Sequence, residues 1–83
     1  MPIEKVIVVE DDAIIRRSLE THLRQRRCEV LSVPTLAAAK EGLGKDNFDL
    51  IFLDVRLPDG EGTEWLKELH QRAQRPLVVI MTG

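Results

Sequence analysis

The chain has a single cysteine, Cys28, so no disulfide can close within it, and a lone thiol fits a reducing cytoplasm. Cys28 stands next to no helix start and no fixed histidine, the neighbours that make a thiol nucleophilic, and it reads as a half-buried strand residue. No apolar run approaches the ~18 residues that a membrane span needs. The opening Met1-Pro2-Ile3-Glu4-Lys5 lacks the apolar core of a signal peptide. Neither sign of charge dominates: Lys and Arg number 12, Asp and Glu 14, and the formal net charge is −2, so nothing suggests general nucleic-acid affinity. The basic run Arg24-Gln25-Arg26-Arg27 falls where a helix ends, and there it reads as cations facing a helix C-terminus. Repeats, linkers and low-complexity segments are absent as well.

What is present is an alternation of strand and helix. The 83 residues, 43% hydrophobic and 31% charged, are enough for one small globular domain. Val6-Ile7-Val8-Val9 predicts a first strand. Ala13 to about Arg26 predicts a helix with Ile15, Leu19, His22 and Leu23 on its inner face. Cys28 to Val33 predicts a second strand, and Thr35 an N-cap for a helix that Gly42, Gly44 and Asn47 end. Phe48 to Leu53 predicts a third strand, followed by the turn-rich Leu57-Pro58-Asp59-Gly60-Glu61-Gly62. Thr63 to about Ala73 predicts a third helix, with Trp65 or Leu66, Leu69 and Ala73 inward. Arg75-Pro76 breaks it before a fourth strand, Leu77 to Met81. Continuous apolar strands separated by helices imply a parallel sheet covered on both faces, with right-handed crossovers.

Carboxylates gather at the strand ends. The first strand runs into Glu10-Asp11-Asp12 and the third into Asp54. In a sheet of this kind ligands bind beyond the carboxyl ends of the strands, at the switch point. If the first and third strands are neighbours, their ends lie roughly 5 Å apart. Clustered carboxylates repel one another unless a cation joins them, and an all-oxygen set suits a hard cation such as Mg²⁺ or Mn²⁺. Asp12 reads differently, as an acid at the N-terminus of the first helix.

Val8-Val9-Glu10-Asp11-Asp12, Asp54, the Leu57-Pro58 to Gly62 loop and Thr82 together resemble the receiver domains of two-component response regulators, over the whole chain. The resemblance implies a flavodoxin-like doubly wound α/β fold with strand order 2-1-3-4. It implies that Asp54 is the phosphoacceptor, taking a phosphoryl group from a histidine kinase or phosphotransfer protein, and that Thr82 is the switch hydroxyl. It further implies that Asp11, Asp54 and the backbone carbonyl of Arg56 hold Mg²⁺, with Glu10 acting through a bound water, and that an output domain or downstream protein reads the result. Such domains catalyse their own phosphorylation and hydrolysis without being stand-alone enzymes. Glu10 stands where the family often has Asp.

The family's fifth strand, its last two helices and its phosphate-contacting lysine would lie beyond Gly83. On that comparison residues 1–83 are the N-terminal two-thirds of a receiver, and Leu77 to Met81 is an apolar edge open to self-association. Two other functions compete. A metal-dependent phosphohydrolase or nuclease on a similar core would want an Asp-x-Asp pair, and Asp54-Val55-Arg56 does not supply it. A binding scaffold would keep the pocket and lack the switch. Neither His22 nor His70 suits a phosphohistidine role in a strand-rich chain. No direct nucleic-acid or membrane partner is expected of this segment.

Overall fold

The computed structural model describes residues 5–72 and 76–81. Four strands form one parallel sheet in the order β2-β1-β3-β6: β1 (Lys5–Val9), β2 (Glu29–Val33), β3 (Leu50–Asp54) and β6 (Leu77–Met81). Helix α1 (Ala13–Gln25) joins β1 to β2, and α2 (Leu36–Lys45) joins β2 to β3. After β3 the short antiparallel pair β4 (Arg56–Leu57) and β5 (Gly60–Glu61) occupies the stretch that reads as a turn-rich loop, and α3 (Gly62–Leu69) leads towards β6. With β6 as its fourth strand, the sheet has the predicted order, and the fold is the flavodoxin-like one.

The two-sided burial of the central strands follows from their sequence. Val6, Ile7, Val8 and Val9 are each 0% exposed. Alternate residues serve opposite faces. Ile7 and Val9 join Ile51 and Leu53 under α2 and α3, with Leu36, Ala39, Leu43, Trp65 and Leu69. Val6, Val8 and Leu50 face the other way, against Leu19 and Leu23 of α1. Each fully buried side chain of this size contributes about 1.5–3 kcal/mol over an exposed position. A polar residue anywhere from Val6 to Val9 would therefore cost one face or the other.

The helices are set by their caps. Asp12 caps α1, its Oδ1 accepting from the N–H groups of Ile14 and Ile15 at 2.9 and 3.1 Å. Thr35 caps α2 as predicted, its hydroxyl accepting from Ala38 N–H at 3.2 Å. Helix α1 ends through Arg27, whose φ of 66° is the left-handed turn usually given to glycine.

Three details differ from the sequence reading. Gly42 and Gly44 lie inside α2 and do not end it. At Gly42 a Cβ would stand 2.3 Å from Leu31 Cδ2, so the residue is small because helix and strand approach closely. Helix α1 is amphipathic, yet it has no fully buried residue; Ile15 is 45% exposed and His22 lies at the surface. The buried layer beneath α1 has only Val6, Val8 and Leu50, too narrow to enclose a whole helical face. Helix α3 stops at Leu69, with Trp65 and Leu69 buried; Ala73 lies outside the described residues.

Candidate functional site

From β1 the chain passes to β2 on one side, and β3 pairs with β1 on the other. The strand order reverses at β1/β3, and in sheets of this kind ligands bind beyond the carboxyl ends of the strands at that point. Glu10 and Asp11 follow directly on β1, and Asp54 is the last residue of β3. One carboxylate oxygen from each of the three lies within 4.8 Å of the others. The sequence reading placed these acids together, and the fold brings them together. Two full charges at that separation repel by roughly 3–4 kcal/mol at an effective dielectric of ~20, so the cluster stands only because other contacts hold its backbone.

Those contacts are local. The ladder extends one residue past β1, with Glu10 N–H donating to Val33 O at 3.1 Å. Glu10 is buried at 6% exposure, and its Oε1 accepts from Asp12 N–H at 3.0 Å. Asp54 is half-buried, and its Oδ1 accepts from Arg56 N–H at 3.2 Å. Burial pushes the Glu10 carboxyl above its ordinary range; the hydrogen bond from Asp12 pulls the other way, and the charge of Asp54 with contacts to Asp11 and Asp54 adds to the rise. A cation in the cluster would reverse that balance.

The floor of the site is tight. Gly62 N–H donates to Val55 O at 2.9 Å, which starts α3 directly beneath β3. A Cβ on Gly62 would meet Asp54 O at 2.4 Å and Leu53 Cγ at 2.9 Å. Gly62 is therefore what lets β3 and α3 approach, a stricter role than the tight turn its sequence context suggests.

Of the predicted site residues, Glu10, Asp11 and Asp54 converge, and Arg56 sits beside them on β4 with its side chain exposed. Thr82 lies outside the described residues. Two residues that sequence reading missed bear on the site. Arg16 Nη1 donates to Glu10 O at 2.8 Å. Asp59, at the tip of the β4–β5 pair, accepts from Leu36 N–H and Ala37 N–H of α2, both at 2.9 Å. An arginine in the first turn of a helix, where acids are favoured, was the one available signal for Arg16. Nothing local to Asp59 marks a partner more than 20 residues away. A wider groove runs along the outer face of α1, past Ile14, Arg17, Thr21 and His22, and holds none of the three acids.

The donor set is chemically suited to a hard divalent cation: three carboxylates on rigid strand ends, oxygen throughout, without the nitrogen or sulfur that softer metals prefer. Comparison with known proteins gives the same direction. Residues 6–83 match the family described as the response regulator receiver domain. The chain is 37% identical over 75 residues to the KDP operon transcriptional regulatory protein KdpE of Escherichia coli, covering 90% of this chain and 33% of that protein. It is 33% identical over 80 residues to the response regulator protein PilR of Pseudomonas aeruginosa, covering 96% of this chain and 18% of that one. The chain thus spans a third or less of the length of these regulators. Among solved structures, a CheY-like response regulator receiver domain protein from Methanospirillum hungatei superposes with a TM-score of 0.90 at 28% identity, over 99% of this chain and 66% of its own. With the sheet order, the acidic cluster and a family match from strand β1 onwards all in agreement, the chain belongs to the response regulator receiver domains.

Proposed function

We propose that Asp54 is the phosphoacceptor of this receiver domain, taking a phosphoryl group from a histidine kinase or phosphotransfer protein in the cytoplasm. The observation that carries the reading is the convergence of Glu10, Asp11 and Asp54 within 4.8 Å at the sheet's switch point. Asp54 is the acceptor of the three because it stands where the receiver family carries its phosphoacceptor; it ends the buried strand β3 and is half-buried, whereas Glu10 is buried and held by Asp12. A carboxylate oxygen of Asp54 attacks phosphorus, the bond from phosphorus to the donor breaks, and an acyl phosphate forms.

Asp11, Asp54 and the backbone carbonyl of Arg56 are the groups that would hold Mg²⁺ or Mn²⁺, with Glu10 reaching it through water. When bound, the cation supplies the charge neutralisation on which phosphoryl transfer mainly depends. The chain's own part is positioning. The buried strands fix two of the acids, Arg56 N–H orients Asp54, and Gly62 leaves room behind it. Thr82 is the proposed hydroxyl that engages the phosphoryl group, and that contact, present in one state only, is what an output domain or partner would read. We also propose that residues 1–83 correspond to the N-terminal two-thirds of a receiver.

The test is labelling by a small phosphoryl donor such as acetyl phosphate or phosphoramidate, on this chain or on a longer protein that contains it. Label should need Mg²⁺, be stable to acid and labile to base as an acyl phosphate is, and disappear in Asp54→Asn. Label that persists in Asp54→Asn and is lost on substituting a different acid would overturn the assignment. A chain that binds the cation and never takes label would be a binding scaffold instead.

A further inference from the structure

The carboxylates of the site account for its charge but not for the direction in which Asp11 points. Asp11 is exposed, and its peptide neighbours are tied down on both sides. Upstream, Glu10 N–H is in the ladder with Val33. Downstream, Asp12 caps α1. Between these anchors the turn carries three successive acids that repel one another. One cation reaches it from the protein itself. Arg16, half-buried on the first turn and a half of α1, donates through Nη1 to Glu10 O at 2.8 Å and approaches Asp11 O at 3.5 Å. Among the described residues its guanidinium forms no ion pair with a carboxylate.

Those two carbonyls flank the Asp11 Cα. The Glu10 carbonyl belongs to the peptide plane before it and the Asp11 carbonyl to the plane after it. Holding both planes restrains the two soft dihedrals of Asp11, and with them the Cα–Cβ direction from which its carboxylate reaches the cluster. The 2.8 Å bond is the strong one; the 3.5 Å approach is a weak attraction to the second plane. Both contacts come from the one nitrogen Nη1, whose N–H directions the planar guanidinium holds fixed, whereas a lysine ammonium rotates freely at the end of a flexible stem.

We infer that Arg16 is a positioning residue for the cation site, clamping the peptides on either side of Asp11 so that its carboxylate meets Asp54. The inference rests on the reading of the acidic cluster as a cation site, and it opposes the simplest electrostatic expectation. A positive side chain near a cation site should weaken cation binding, so deleting it should tighten binding. A clamp has the opposite sign: deleting it loosens a ligand and weakens binding. Residues that orient metal ligands typically cost about 10- to 100-fold in metal affinity when removed.

The experiment is an Mg²⁺ titration of the chain, followed through amide shifts, on the wild type, Arg16→Met and Arg16→Lys. Thermal unfolding and the metal-free carbonyl-carbon shift of Glu10 are recorded alongside. The clamp predicts about 10-fold weaker Mg²⁺ binding in both variants, with the Glu10 carbonyl shift displaced before any metal is added. Tighter binding in Arg16→Met with unchanged binding in Arg16→Lys would show that only charge matters and would overturn the proposal. A lowered unfolding temperature with unchanged Mg²⁺ affinity would overturn it too, by making Arg16 merely structural. Wild-type protein without any Mg²⁺ response would overturn the cation-site reading itself, and this proposal with it.

Discussion

At the scale of single residues, the site depends as much on what is small as on what is charged. Gly62 has no Cβ where one would press on Asp54 O at 2.4 Å and on Leu53 Cγ at 2.9 Å. Its nearest contact is backbone and cannot swing away, so Gly62→Ala must push β3 and α3 apart. Overpacking of this kind costs typically about 1–3 kcal/mol, and chemical denaturation of the variant should show a loss in that range. The displacement falls on Asp54, so amide shifts of Asp54 and Arg56 should move even under conditions where the variant is fully folded. The acids themselves were legible from sequence because each follows directly on an apolar strand, which fixes both its end of the sheet and its exposure. Gly62 was legible only as a turn residue, since a close approach between segments eight positions apart leaves no mark on composition. Arg16 was missed for a related reason: its partners are main-chain carbonyls, and any residue type can supply those.

At the scale of elements, the β4–β5 pair is joined to α2 through one side chain. Asp59 accepts from the first two N–H groups of α2, a helix whose own cap, Thr35, reaches Ala38 with its hydroxyl and Ala39 with its carbonyl. These bonds from Leu36 and Ala37 hold the Asp59 carboxyl below its ordinary range. The sign of the pH effect follows. A carboxyl whose pKa is lower folded than unfolded stabilises the fold above the unfolded value, and that stabilisation is lost as pH falls through the folded value. Stability measured by chemical denaturation with far-UV circular dichroism should therefore fall more steeply with decreasing pH in the wild type than in Asp59→Asn, the difference lying below about pH 4. An unchanged acid limb in Asp59→Asn would remove Asp59 from the account. The elements were largely readable because hydrophobic period and caps agree: Asp12 and Thr35 start their helices where the sequence places them. The hairpin was not, because two residues per strand are too few to show a period.

At the scale of the whole molecule, the sheet is well covered in the middle and open at β6. Leu77 is 67% exposed, Val79 42% and Ile80 38%, in contrast with the fully buried Val6 to Val9 of β1, two strands away. An apolar strand pairs on one side with β3, and among the described residues no strand takes the other side. Such an edge is a template for another chain. For the chain of 83 residues in isolation, sedimentation at increasing concentration should show reversible self-association that Val79→Lys suppresses, with β6 amides gaining hydrogen-exchange protection as concentration rises. A monomer at every concentration with β6 already protected would contradict this. The apolar runs separated by helices made a parallel sheet legible, while its strand order came from the resemblance to receiver domains; that order is what assembles the acids from strands that are more than 40 residues apart in sequence.

The convergence of Glu10, Asp11 and Asp54 on one cation is the claim from which the rest follows, and an Mg²⁺ titration read by amide chemical shifts tests it most directly. Millimolar Mg²⁺ should move the amides of Glu10, Asp11, Asp54 and Arg56 together along one saturating curve, leave those at the opposite end of the sheet around Lys5 and Asp49 in place, and lose most of its effect in Asp54→Asn. Shifts that stay unchanged at all four positions would contradict the account.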